Sequence, residues 1–200
     1  MERQRLNSRV LGLLVCLLAL SKVAYGHSGM GMGTGFAAGF MHPLSGIDHM
    51  LAMLAVGMWG AQLGAPAIWM LPVAFPMIMA MGGVLGIIGV PAPFPIEYGI
   101  AFSVVALGAV IALYLRPPLW AAVLLVSFFA LFHGYAHGAE LTDKSNALAY
   151  SLGFVIATGM IHVAGILIGM VTHLPRGMTL LRLGGGLVTL AGIYLLAGLS

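Results

Sequence analysis

Six long apolar segments follow one another along the chain, at approximately 34–61, 66–90, 96–115, 118–140, 146–171 and 178–199, with only short joints between them. Each is near the roughly 20 residues that cross a hydrocarbon core, and the longer ones leave room for tilt or broken ends. This pattern predicts an all-α polytopic membrane protein, a six-transmembrane-helix bundle. Composition agrees: 61% of residues are hydrophobic and 6% charged, against about 45–50% and about 25% in soluble domains. The joints carry helix punctuation, among them Gly64-Ala65-Pro66, Pro91-Ala92-Pro93-Phe94-Pro95, Arg116-Pro117-Pro118 and Leu174-Pro175-Arg176-Gly177. None is long enough to fold by itself, so any chemistry must take place among the helices.

Residues 1–26 read as a secretory signal peptide. Arg3, Arg5 and Arg9 form a basic start, Val10 to Leu20 is an apolar run of eleven residues, and Ala24-Tyr25-Gly26 supplies small residues for cleavage. Eleven apolar residues are too few to span a bilayer comfortably. The mature domain is then 27–200, beginning at His27. With residue 27 outside, Arg116, Arg176 and the nearby Arg182 fall on the cytoplasmic side, while the outer joints hold only Lys144 beside Asp143 and Glu140. The positive-inside rule supports that orientation. It predicts a multi-pass protein of a bacterial inner membrane with both mature termini on the periplasmic side. The single cysteine, Cys16, lies in the leader and excludes a disulfide framework. A net charge of +3 leaves no basic surface for nucleic acid.

Against this apolar background, the side chains that can ligate metal are conspicuous. An aspartate at mid-span costs roughly 2.5–3.5 kcal/mol even on the mild insertion scales. Yet His42, Asp48 and His49 all lie in the first segment. On a straight helix His42 and His49 share a face but stand roughly 10.5 Å apart along the axis, too far to share one ion through bonds of about 2.0–2.1 Å. Pro43 and Gly46 allow that turn to bend or unwind, so one distorted site and two successive stations are both open. Asp48 supplies charge and can orient a histidine.

A second constellation lies late in the fourth segment, where His133 and His137 are i and i+4 and Glu140 extends the same stripe outward. Gly134 and Gly138 leave room beside it for another helix or an ion. The expectation is a site shared between the two motifs, open to the outer face. His162, mid-span in the fifth segment, is either a further ligand, a proton-accepting group or a hydrogen-bonding structural histidine. His27, once at a free N-terminus, gains an α-amine and becomes a metal-capturing candidate, with Met30 and Met32 nearby. Glu97 reads as a helix N-terminal carboxylate and His173 as solvated. Close-spaced glycines (Gly31, Gly35 and Gly39; Gly82, Gly86 and Gly89; Gly184, Gly185 and Gly186) read as helix packing.

These motifs resemble those of the HupE/UreJ family of hydrogenase/urease accessory permeases. His42, Asp48 and His49 match its His-x5-Asp-His motif. Phe132, His133, Gly134, Ala136, His137, Gly138 and Glu140 match its Phe-His-Gly-x-Ala/Val-His-Gly-x-Glu motif, and Ala157-Thr158 to His162 is similar to its fifth span. The resemblance implies a secondary transporter of Ni²⁺, or of Co²⁺, that supplies hydrogenase or urease maturation. Imidazole with carboxylate suits Ni²⁺, Co²⁺ and Zn²⁺ alike, so the residues themselves do not select nickel. Because ligation needs neutral imidazoles and ionised carboxylates, protons compete with the metal, which offers a route to proton coupling. The expected partners are the metal ion, as substrate rather than prosthetic group, and the lipid bilayer, with a homo-oligomer left open. The chain reads as a permease and not an enzyme, since it lacks a His-Glu-x-x-His run and a serine in a nucleophile elbow, and without a nucleotide-binding loop it is not expected to use ATP directly. The rival readings are an intramembrane zinc-dependent hydrolase and a metal-binding accessory protein that does not transport.

Overall fold

In the computed structural model, residues 35–92, 95–140 and 147–199 are described, and among them every regular element is helical. The expected leader at 1–26, His27 and the 141–146 joint with Lys144 lie outside the described residues. Among the described residues seven α-helices run in order: α1 Phe36–Ser45, α2 Ile47–Leu63, α3 Ala67–Ile87, α4 Ile96–Ala112, α5 Leu119–Ala139, α6 Ala147–Gly169 and α7 Gly177–Ala197. A 3₁₀ turn, Met170–His173, continues α6.

The first apolar segment forms two helices where the other five form one each. α1 and α2 meet at an 82° bend and together are long and apolar enough for one broken membrane span. α3, α5, α6 with its 3₁₀ turn, and α7 are each long and apolar enough to cross alone. α4 is shorter, at 17 residues, or about 25 Å of rise against a core of about 30 Å. Helix starts follow the prolines: Pro66, Pro95 and Pro118 occupy the N-cap positions of α3, α4 and α5. Helix ends follow the glycines, with Gly64 at φ 83° returning its N–H to the Gly60 carbonyl.

Close backbone approach between helices rests on particular glycines. A Cβ on Gly134 would strike the Met79 carbonyl, and one on Gly138 the Gly83 carbonyl; Gly82 and Gly86 meet α5 in the same way at Leu131 and Tyr135. α3 and α5 therefore pack with their backbones nearly in contact, in the manner of small-residue interfaces in membranes. Gly57 and Gly165 do the same for α2 and α6, and Gly39 and Gly153 for α1 and α6. The triple glycine of α7 behaves unevenly. Gly185 abuts Ile111 and Ala112, Gly184 has only a Met58 methyl at 3.6 Å, and Gly186 faces open space.

Trp59, Phe75, Phe129, Met53, Leu71 and Leu107 fill the centre of the bundle, while Trp69, Met77, Trp120, Leu167 and Leu190 point outward. An outward apolar surface on a bundle of long apolar helices marks a membrane protein. At one end, arginines cap helix C-termini. Arg116 donates to the Gln62 carbonyl at 3.1 Å and Arg182 to the Ala112 carbonyl at 2.8 Å. Gln62 and the Trp59 indole donate there too, to the carbonyls of Ile111 and Leu115. The histidine motifs lie at the opposite end, at the N-terminus of α2 and the C-terminus of α5.

Candidate metal centre

The site begins with the break in the first segment. Pro43 removes one amide from α1, and Gly46 adopts an extended conformation (φ −91°, ψ 112°) between the two helices. Ser45 donates its hydroxyl to the His42 carbonyl at 2.6 Å, serving an acceptor at the helix end. Gly46 has a steric reason to lack a side chain. A Cβ there would stand 3.0 Å from Asp48 Oδ1 and 3.1 Å from His49 Nδ1.

The bend does what a straight helix cannot. His42, on α1, and His49, on α2, both reach His137 of α5, with ring centroids 4.7 Å and 4.4 Å from it. His49 also meets His133 at 4.9 Å. The two sequence motifs thus come together at one end of the bundle, and His137 bridges the two halves of the first motif. His42 Nε2 lies 3.3 Å from Glu140 Oε2. Donor atoms of His42, His137 and Glu140 all fall within 4.8 Å of one another. Two ligands on one ion at about 2.1 Å can be no more than about 4.2 Å apart, so this set is slightly open and must close by several tenths of an ångström to grip an ion. A cavity of about 250 Å³ between α3, α5 and α6 borders His137, leaving space for its ring to move.

Tautomers follow from the second partners. Asp48 Oδ1 accepts from the His49 backbone N–H at 2.7 Å and from His49 Nδ1 at 2.8 Å. His133 Nδ1 donates to the Phe129 carbonyl at 3.0 Å. Each ring then keeps its Nε2 lone pair for something else, and both Nε2 atoms are buried with no hydrogen-bond partner. His137 has no hydrogen-bond partner at either nitrogen. Buried polar atoms are nearly always satisfied, and three such imidazoles side by side offer donors suited to a cation.

Exposure falls stepwise through the cluster. Side-chain exposure drops from 61% at Glu140 and 22% at His42 to 14% at His49. His137 and His133 are then 7% and 0% exposed as whole residues. Glu140 caps α5 just beyond its last turn. Its hydrogen bond to His42 is the main influence holding its carboxyl below the ordinary value, against its own partial desolvation.

His162 is separate from this group. It is buried on α6, and Phe75 of α3 stands between it and His133, with ring centroids at 5.5 Å and 5.3 Å. Glu97 lies in the first turn of α4 and His173 is exposed. Gly134 and Gly138 make room for α3, not for an ion beside the stripe. Three neighbours escaped the sequence reading: Phe75, Phe154 (4.5 Å from His137) and Tyr150 (5.8 Å from His42). Aromatic residues are too common in apolar segments to stand out. The one local sign at Phe75 is its place between Pro72 and Pro76 within a single helix.

A helical membrane bundle with histidines and carboxylates converging at one end defines the class of protein. The chain belongs to the HupE/UreJ family: residues 14–195 match the family described as HupE / UreJ protein. It is 45% identical over 181 residues to Protein HupE of Rhizobium leguminosarum bv. viciae, covering 90% of this chain and 94% of that one. No solved structure matches the chain.

Proposed function

We propose that this protein is a permease for divalent transition-metal ions, nickel foremost, carrying them across a bacterial inner membrane toward hydrogenase or urease maturation. The observation that carries the reading is the convergence of His42, His49, His133 and His137 with Asp48 and Glu140 along a falling gradient of exposure. Glu140 and His42 meet the ion first, His49 and His137 pass it inward, and the fully buried His133 receives it with the Nε2 that its Nδ1 hydrogen bond leaves free. Asp48 orients His49 as an outer partner of the ion. Ligands that are slightly open in the resting state suit an ion that must be released as well as bound. The donors suit Ni²⁺, Co²⁺ and Zn²⁺, and nickel is preferred because of family membership.

The proposed topology has six spans, counting the bent α1–α2 pair as one and α4 as another, after a cleaved leader at 1–26. Both mature termini then lie on the periplasmic side, and the arginine-capped end faces the cytoplasm, in keeping with the positive-inside rule. His27 is retained as a capture residue at the mature N-terminus. The test is Ni²⁺ entry into sealed liposomes that contain the purified full chain and a trapped fluorescent chelator. Flux that is lost in His42→Ala and His137→Ala supports the permease. Binding without flux in the wild type refutes it in favour of an accessory protein that does not transport.

A further inference from the structure

We propose that His162 and Thr158 on α6 form a second, inner station for the same class of ion, one step beyond the outer cluster. The inference rests on reading that cluster as an ion site. His162 is 1% exposed, and Thr158 is fully buried. Neither nitrogen of His162 nor the Thr158 hydroxyl has a hydrogen-bond partner of good geometry. The Thr158 carbonyl approaches the imidazole from one turn away without completing such a bond. Polar side chains in a transmembrane interior normally pair with one another or with backbone, or else line a substrate path. Here a hydroxyl and an imidazole stand i and i+4 on one helix face, so an oxygen and a nitrogen donor lie one turn apart.

Position makes this pair the next stop. Phe75 touches His133, the most deeply buried histidine of the outer cluster, and His162 with almost equal spacing (5.3 Å and 5.5 Å). The backbone at His162 crosses α2 at Gly57, eight residues past His49 and therefore about 12 Å further from the outer end. Phe75 lies between Pro72 and Pro76, which remove two amides from the α3 hydrogen-bond ladder and leave that stretch easier to deform. An ion leaving His133 would pass the Phe75 ring and find two ligands where the outer cluster offers several. Weak, successive sites favour onward movement, as they do in conduction pathways.

The test is Ni²⁺ titration of the purified full chain in detergent, followed by initial uptake rates in liposomes. Two binding steps are expected in the wild type. His162→Ala removes the weaker step, leaves the tighter one in place and slows uptake about tenfold or more, the scale of losing a metal partner. Thr158→Val keeps the side-chain shape and weakens only the second step, a change that a purely structural threonine would not make. Wild-type binding stoichiometry and uptake in both variants would overturn the proposal and leave His162 a packing residue. If His162→Ala fails to fold, the decision passes to Thr158→Val together with His162→Gln. Failure of the underlying reading has a different signature: both binding steps and flux would survive His42→Ala and His137→Ala.

Discussion

Asp48 offers the sharpest perturbation, because one oxygen performs two tasks. Its Oδ1 accepts from the His49 backbone N–H at 2.7 Å and from His49 Nδ1 at 2.8 Å. Asp48→Asn keeps an acceptor oxygen and removes the charge. A hydrogen bond to a charged group is worth about 1.5–3 kcal/mol and a neutral one about 1 kcal/mol, so the substitution should cost roughly 1 kcal/mol, or about fivefold in metal affinity. Asp48→Ala removes the acceptor as well. His49 then loses the partner that fixes its tautomer, and the proton can move to the Nε2 that faces His133 and His137. Loss of such an outer partner costs about 10–100-fold in affinity. Ni²⁺ titration by calorimetry in detergent, paired with uptake in liposomes, should rank wild type above Asp48→Asn and Asp48→Asn above Asp48→Ala. Equal losses in the two variants would refute the tautomer argument, and wild-type affinity in both would remove Asp48 from the site.

Other consequences follow from the same geometry. Gly138→Ala places a methyl on the Gly83 carbonyl of α3, so thermal unfolding in detergent should show a loss of about 1–3 kcal/mol or more. Gly186→Ala meets nothing and should be neutral or stabilising by up to about 1 kcal/mol. Gly46→Ala crowds Asp48 and His49 at 3.0–3.1 Å, and should weaken Ni²⁺ binding while leaving the melting temperature close to that of the wild type. Glu140 is depressed below its ordinary value mainly by His42. Its contribution to stability is thus present above the unfolded value of about 4.3 and is lost as pH falls through the lower folded value. The melting-temperature gap between wild type and Glu140→Gln should accordingly close only at acid pH. A gap that persists unchanged into strong acid would contradict the pairing.

Much of this architecture could be read from the sequence, and the reasons are physical. A chain that must satisfy its backbone inside hydrocarbon has few choices, so apolar length and proline or glycine punctuation located the helices from α3 to α7 within a few residues. The candidate ligands were legible because charged and imidazole side chains are costly in such surroundings and stand out when they cluster. Helix geometry left open a bend at Pro43–Gly46 and a site shared with His133 and His137, and the structure shows the bend and brings the four histidines together. Other features depend on tertiary contact and leave little trace in one sequence. Nothing local distinguishes Gly185, packed on α4, from Gly186, which faces open space. Phe75 looks like any aromatic core residue until two histidines on different helices are found against it. Hydropathy alone does not separate α1 from α2, and the break between them was legible only through Pro43, Gly46 and the spacing of the two histidines.

The central claim is that the two histidine motifs build one site. The most direct measurement is a double-mutant cycle on Ni²⁺ affinity with His42→Ala, His137→Ala and the pair combined, read in the purified full chain. Residues that ligate one ion are strongly non-additive, so the double variant should lose little more than the worse single variant. Independent losses whose free energies add in the double variant would mean that His42 and His137 serve separate ions, and the shared site would be wrong.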